Sequence, residues 1–195
     1  MTRIIAGRAK GHRLRTPAHS ATRPTTDRVR EAAFSLVADW AGTLGEPVED
    51  QLAGLAFLDL YAGSGAVALE AASRGATPVW AVESDSATAR LVRGNAATTG
   101  LAVTVVAGTV EKTLAGPPPV PFDVVWADPP YALAGDRLAT VLAAAVTGGW
   151  LVDDGLLVVE RAGRDLPPVW PSQLSHQWQR RYGETTLYFA RRPPE

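Results

Sequence analysis

The spacing of apolar positions changes from one segment of the chain to the next, and the changes mark out its elements. Val29, Ala33, Leu36, Val37 and Trp40 recur at helical intervals. Thr25 or Thr26 stands where it can cap that helix, Asp27 falls in its first turn against the positive end of the dipole, and Gly42 with the stretch Gly45–Pro47 ends it. Short apolar runs then alternate with helical stretches. The runs predict strands at Leu55–Leu60, Val79–Glu83, Val103–Val106, Phe122–Ala127 and Leu156–Glu160, with helices at Ala66–Arg74, Ser86–Thr98 and Arg137–Val146. Strands that are hydrophobic at nearly every position need cover on both faces. The pattern therefore predicts an α/β fold with a doubly wound, mostly parallel sheet. Pro117–Pro121 reads as a stiff connection into the fourth strand, and Gln177–Arg181 and Thr185–Ala190 flank Tyr182-Gly183-Glu184 as a C-terminal antiparallel hairpin. Residues 1–20 form a small basic extension, a β-hairpin of its own, and 21–195 form the main domain.

Composition narrows the classes. With 46% hydrophobic and 20% charged residues, the chain can bury a real core. It has no cysteine, which excludes disulfides, thiolate metal sites and cysteine nucleophiles together. His12, His19 and His176 show no metal-ligand spacing, so structural or surface roles and no metal are expected. The longest charge-free apolar run, Leu138–Val152, is short for a membrane span and contains Gly148 and Gly149. Met1 is followed by charges rather than an apolar stretch, and the expectation is a cytoplasmic protein. The net charge of −1 hides an asymmetry: residues 1–31 hold eight Lys/Arg against Asp27 and Glu31, and the rest of the chain is acidic. A basic arm on an acidic body predicts a polyanionic partner met by one edge, with Arg3, Arg13, Arg23, Arg28 and Arg30 as candidate RNA contacts.

The first strand runs into Asp59-Leu60-Tyr61-Ala62-Gly63-Ser64-Gly65-Ala66-Val67-Ala68. Glycines at a strand-to-helix turn let a ligand approach backbone amides at a helix N-terminus. Glu83 closes the second strand, placed to accept hydrogen bonds from ribose hydroxyls. Gly63-x-Gly65-x-x-Ala68 also satisfies the dinucleotide fingerprint, so this turn alone leaves a dinucleotide-binding oxidoreductase open. Asp59 separates the ligands. A carboxylate just before the loop repels a pyrophosphate and suits the ammonium and sulfonium region of S-adenosylmethionine; its bland role is to brace the loop.

The fourth strand ends in Trp126-Ala127-Asp128-Pro129-Pro130-Tyr131, at the carboxyl end where doubly wound sheets place their chemistry. An exocyclic amine on a nucleobase is a poor nucleophile because its lone pair is delocalised into the ring. Hydrogen bonds from its protons to a carboxylate and a carbonyl free that lone pair for in-line attack on a methyl group. Asp128 supplies the carboxylate and Pro129 the carbonyl, consecutive prolines hold the backbone extended, and Tyr131 is suited to stack on a withdrawn base. Guanine N2, adenine N6 and cytosine N4 all satisfy this pair.

Arg3-Ile4-Ile5-Ala6-Gly7, Gly11-His12-Arg13-Leu14, Thr22–Glu31, Leu58–Gly65, Glu70-Ala71, Ser73–Ala76 and Tyr182–Thr185 resemble the RsmD family of ribosomal RNA guanine-N2 methyltransferases over nearly the whole chain. The resemblance implies a Rossmann-like class I methyltransferase sheet of seven strands with a small N-terminal hairpin. It further implies S-adenosylmethionine as methyl donor and, as substrate, 16S ribosomal RNA within a 30S assembly particle, met by a monomer. By the same resemblance the catalytic residues are Asp128, Pro129 and Tyr131. The donor is held by Asp59, Tyr61, Gly63, Ser64, Gly65, Glu83, Ser84, Thr109, Val110 and Asp128, with residues 103–111 reaching the adenine ring through backbone amides. Tyr131 stands where the family commonly has phenylalanine, and Gly116–Pro121 is unusually rich in proline. The alternative is an adenine-N6 methyltransferase acting on DNA or RNA, which shares the Asp-Pro-Pro-Tyr tetrapeptide.

Overall fold

The computed structural model describes residues 2–17, 26–130 and 132–192. Two short strands, β1 (Thr2–Arg3) and β2 (Arg13–Leu14), pair antiparallel as the N-terminal hairpin. Helix α1 (Asp27–Trp40) follows, and the Thr26 side chain caps it by accepting from the Val29 amide at 3.3 Å. The main sheet then begins: β3 (Phe57–Asp59), α2 (Ala66–Ser73), β4 (Val79–Glu83), α3 (Ser86–Thr99), β5 (Thr104–Ala107), α4 (Val110–Leu114), β6 (Phe122–Ala127), α5 (Gly135–Thr147), β7 (Leu151–Ala162), β8 (His176–Tyr182) and β9 (Thr185–Arg191).

Strand order is β5-β4-β3-β6-β7-β9-β8, parallel except for β9, which runs against both β7 and β8. The chain winds outward from β3 in one direction and returns to start again at β6. The carboxyl ends of β3 and β6 therefore flank the switch point, and a crevice opens there.

Alternate residues along the strands enter opposite layers. Phe57, Val124, Leu156 and Phe189 pack on the face covered by α1, α2 and α3, while Leu58, Val125, Leu157 and Ala190 pack on the face covered by α4 and α5. Burial on both faces is the physical reason the strands read as unbroken hydrophobic runs. The hairpin is not loose: Ile4 and Leu14 bury against Leu69 of α2 and Ala96 of α3. Glu70, wholly buried in α2, accepts from the Ile5 and Ala6 amides at 2.7 and 3.1 Å and from Arg74 Nε at 2.9 Å.

Most bounds fall within a residue or two of the sequence expectations, with α5 starting early at Gly135, and three further differences bear on the fold. Residues 110–114 are helical rather than part of a loop. Strand β3 begins at Phe57 rather than Leu55. Strand β7 begins at Leu151, so the apolar run Leu138–Val152 divides between a helix and the start of a strand. Register between β6 and β7 shifts from Phe122↔Leu151 to Val124↔Leu156, and the polar Asp153-Asp154-Gly155 interrupts the strand's hydrophobic pattern at that irregularity. The proline-rich connection is tied down where Trp150 Nε1 donates to the Gly116 carbonyl at 3.2 Å.

Candidate active site

The turn from β3 into α2 is built on two glycines with left-handed backbone, Gly63 at φ +52° and Gly65 at φ +80°. A Cβ on Gly65 would also lie 2.6 Å from Val92 Cγ1, so α3 packs directly against the turn. The Gly63 amide donates to Glu83 Oε2 at 2.9 Å, and Glu83 Oε1 accepts from the Asp85 amide at 2.8 Å. Glu83 thus braces the turn and still lines the crevice with lone pairs to spare. Asp59 is 1% exposed and accepts from the Ala68 amide at 3.2 Å across the first turn of α2. Burial pushes its carboxyl up to about 7, with the Glu83 and Glu160 charges acting in the same direction.

A cavity of about 420 Å³ opens over this turn. That volume suits a cofactor-sized ligand. Every residue expected at the donor lies on its wall except Gly65, which shapes the turn behind it: Asp59, Tyr61, Gly63, Ser64, Glu83, Ser84, Thr109, Val110 and Asp128. Thr109 caps α4, accepting from the Lys112 amide at 3.3 Å, so a helix start rather than an open loop borders this wall. Glu111, the last of the residues expected at the adenine ring, lines it too, as do Thr88 and Leu133, which were not singled out by sequence. Glu111 pairs with Arg137 of α5 at 3.0 Å, tying α4 to α5 at the rim. The Tyr61 hydroxyl is buried without a hydrogen-bond partner among the described residues, and burial raises its pKa to about 12.

Asp128 follows β6 and belongs to two cavities at once. Burial raises its pKa well above the usual carboxylate range, and the Glu160 and Asp59 charges add to the rise while Arg161 opposes it. The second cavity, about 1010 Å³, lies beyond Asp128 and Pro129 and is walled by the end of β7 and the β8–β9 hairpin. One carboxylate thus stands between a cofactor-sized cavity and a larger one. Tyr131 lies outside the described residues.

The chain matches the family model described as Conserved hypothetical protein 95 over residues 2–191. It is 32% identical to ribosomal RNA small subunit methyltransferase D of Escherichia coli over 173 residues, covering 89% of this chain and 81% of that protein. The chain belongs to the ribosomal RNA small subunit methyltransferase D family. The solved structure of yhhF from Escherichia coli superposes with a TM-score of 0.83 at 29% identity, covering 100% of this chain and 99% of that one. A hypothetical protein of Thermus thermophilus superposes with a TM-score of 0.74 at 30% identity, covering 97% and 98%. The fold is that of class I methyltransferases.

Within this methyltransferase fold the basic N-terminal residues separate into distinct settings. Arg13 and Arg28 are not buried, and Arg3, exposed at the surface, pairs with Asp27 at 3.0 Å. Arg30 corrects the sequence expectation of a phosphate contact: it is 1% exposed, donating to the Arg3 carbonyl at 2.6 Å and to Asp27 at 3.1 Å, with Glu70 at 3.9 Å. A guanidinium enclosed this way braces the hairpin against α1 and α2. Arg23 lies outside the described residues, as does Thr25.

Two residues that matter to the site escaped sequence reading. Asn95, 1% exposed in α3, donates to the Ser64 and Arg15 carbonyls at 3.0 Å and accepts from the Arg15 amide at 3.0 Å, linking the end of the hairpin to the Gly-rich turn. Its signal was a polar residue on the apolar side of a helix. Arg161 sits in the second cavity with only 10% of its side chain exposed. Its signal was a charge at the carboxyl end of a buried strand.

Proposed function

We propose that this chain transfers the methyl group of S-adenosylmethionine to the exocyclic N2 of a guanine in 16S ribosomal RNA. It acts as a cytoplasmic monomer on a 30S assembly particle. The observation that carries this reading is the position of Asp128, a half-buried carboxylate at the switch point that faces both a cofactor-sized cavity and a larger one. Family membership supports small-subunit RNA as the substrate.

The donor cavity fits the cofactor by its chemistry. Glu83 offers acceptors for ribose hydroxyls, Asp59 a carboxylate for a cationic amino acid end, and Tyr61 an uncommitted hydroxyl. When bound, S-adenosylmethionine supplies an electrophilic methyl carried on a sulfonium. Asp128 and the Pro129 carbonyl accept from the two amine protons, which draws the nitrogen lone pair out of conjugation and toward that methyl. The methyl would pass to that nitrogen as its bond to sulfur breaks, the electron pair staying on the sulfur. The surplus amine proton passes to Asp128, whose raised pKa makes it a better acceptor than an ordinary carboxylate.

The test is incubation of unmethylated 30S particles with labelled S-adenosylmethionine. Label should enter 16S RNA with the unaltered chain and not with Asp128→Ala. Equal labelling by the variant would remove Asp128 from the chemistry.

A further inference from the structure

The second cavity holds a group that the methyl-transfer scheme leaves unused. Ala127 pairs with Val159, which brings the next residues of β7, Glu160 and Arg161, alongside Asp128 and Pro129. The Arg161 side chain is nine-tenths buried, and its Nη2 is held by Asp165 at 3.3 Å. Its Nε and Nη1 are buried and have no hydrogen-bond partner among the described residues. Buried guanidinium donors are costly to leave unsatisfied, so a cavity wall that retains two of them is built for an acceptor supplied from outside. The Asp165 ion pair engages Nη2, and Nη1, on the edge turned away from the Nε–Nη2 side, is left to meet it.

We infer that Arg161 reads the acceptor base, its unpaired Nη1 donating to the O6 carbonyl of the guanine whose N2 lies between Asp128 and Pro129. This rests on the guanine-N2 reading above. Guanine carries its N2 amine and its O6 acceptor at opposite ends of one edge, and a guanidinium is a good partner for that oxygen. Adenine bears an amino group at the position of O6, so an adenine held in the same pose would set N–H against N–H. Asp128 therefore selects for an amine and Arg161 for a keto oxygen beside it. Among the purines only guanine offers both on one edge; cytosine carries an amine and a keto oxygen in the same relation, with a bare ring nitrogen between them where guanine has N1–H.

The nucleoside 2-aminopurine riboside keeps the N2 amine and lacks O6. Ligand-observed NMR titration of the full chain, saturated with S-adenosylhomocysteine, compares it with guanosine. Guanosine should bind the unaltered chain roughly tenfold more tightly, the value expected of a good guanidinium contact to a base. Arg161→Met should weaken guanosine by about the same factor while leaving 2-aminopurine riboside and S-adenosylhomocysteine unchanged. Because nucleosides carry no phosphate, an arginine that only clamps the RNA backbone gives equal affinities. Guanosine bound no better than 2-aminopurine riboside by the unaltered chain overturns the inference, whether or not the variant folds. Methylation of 16S guanine alongside that result leaves the proposed function standing. Methylation of another base overturns both.

Discussion

Asp59, buried, and Asp128, half-buried, face one crevice with raised pKa values. Asp128→Ala should nearly abolish methyl transfer while S-adenosylmethionine binds within severalfold of the parent, checked by single-turnover labelling beside calorimetry. Since Asp128 must be ionised to accept from an amine, the transfer rate should rise with pH through its raised pKa. Asp59 makes a prediction of its own. Between its ordinary value of 3.8 and about 7 the folded chain holds a proton that the unfolded chain has released, so this group's contribution to stability falls as pH rises across that window. Asp59→Asn should flatten the decline, seen as a smaller change in melting temperature between about pH 4 and 7. If Asp59 also meets the donor's ammonium group, binding at a pH just below about 7 should release a proton, read from calorimetry in two buffers and absent in Asp59→Asn. Glu83→Ala should weaken donor binding by roughly tenfold to a hundredfold, the loss expected for hydrogen bonds to a charged acceptor. Asp59, Glu83 and Asp128 were legible because each stands at the end of an apolar run. Arg161 and Asn95 were not, because their roles depend on neighbours distant in sequence.

At the scale of elements, the Gly-rich turn is held from behind as well as shaped from within. Gly65→Ala puts a side chain at φ +80° and a Cβ 2.6 Å from Val92 Cγ1. The backbone term alone costs about 1–2 kcal/mol, so the variant should melt several degrees lower and bind the donor poorly. Asn95→Ala removes three hydrogen bonds that join Arg15 and Ser64 to α3. Leaving those backbone groups unsatisfied should cost about 1–3 kcal/mol, measured by chemical denaturation. The order of strands and helices was readable from hydrophobic spacing because the central strands β3, β4, β6 and β7 are largely buried on both faces. Helix α4 was not, since five residues are too few to show a helical period, and the early start of β7 was masked by Asp153-Asp154-Gly155. Helix α1 was readable down to its cap.

Across the whole molecule, the charge asymmetry becomes an orientation. The hairpin docks on α2 and α3 next to the donor turn, and Arg13 and Arg28 stand on the same basic N-terminal segment, while Arg30 is spent inside on the Glu70 network. Replacing Arg13 and Arg28 with alanine should weaken RNA binding broadly and reduce its salt slope by about 0.7–0.9 per lost contact. A slope unchanged from the parent would take the hairpin out of the RNA interface. Among the described residues no helix is long and apolar enough to cross a membrane. Three exocyclic amines satisfy Asp128 and Pro129, and only the chemistry beyond them distinguishes the bases, so the identity of the product decides the matter. It is tested most directly by mass analysis of nucleosides from 30S particles treated with the purified chain and S-adenosylmethionine. The expected product is N2-methylguanosine in 16S ribosomal RNA, formed better on particles than on naked RNA; N6-methyladenosine, or transfer to DNA alone, would contradict it.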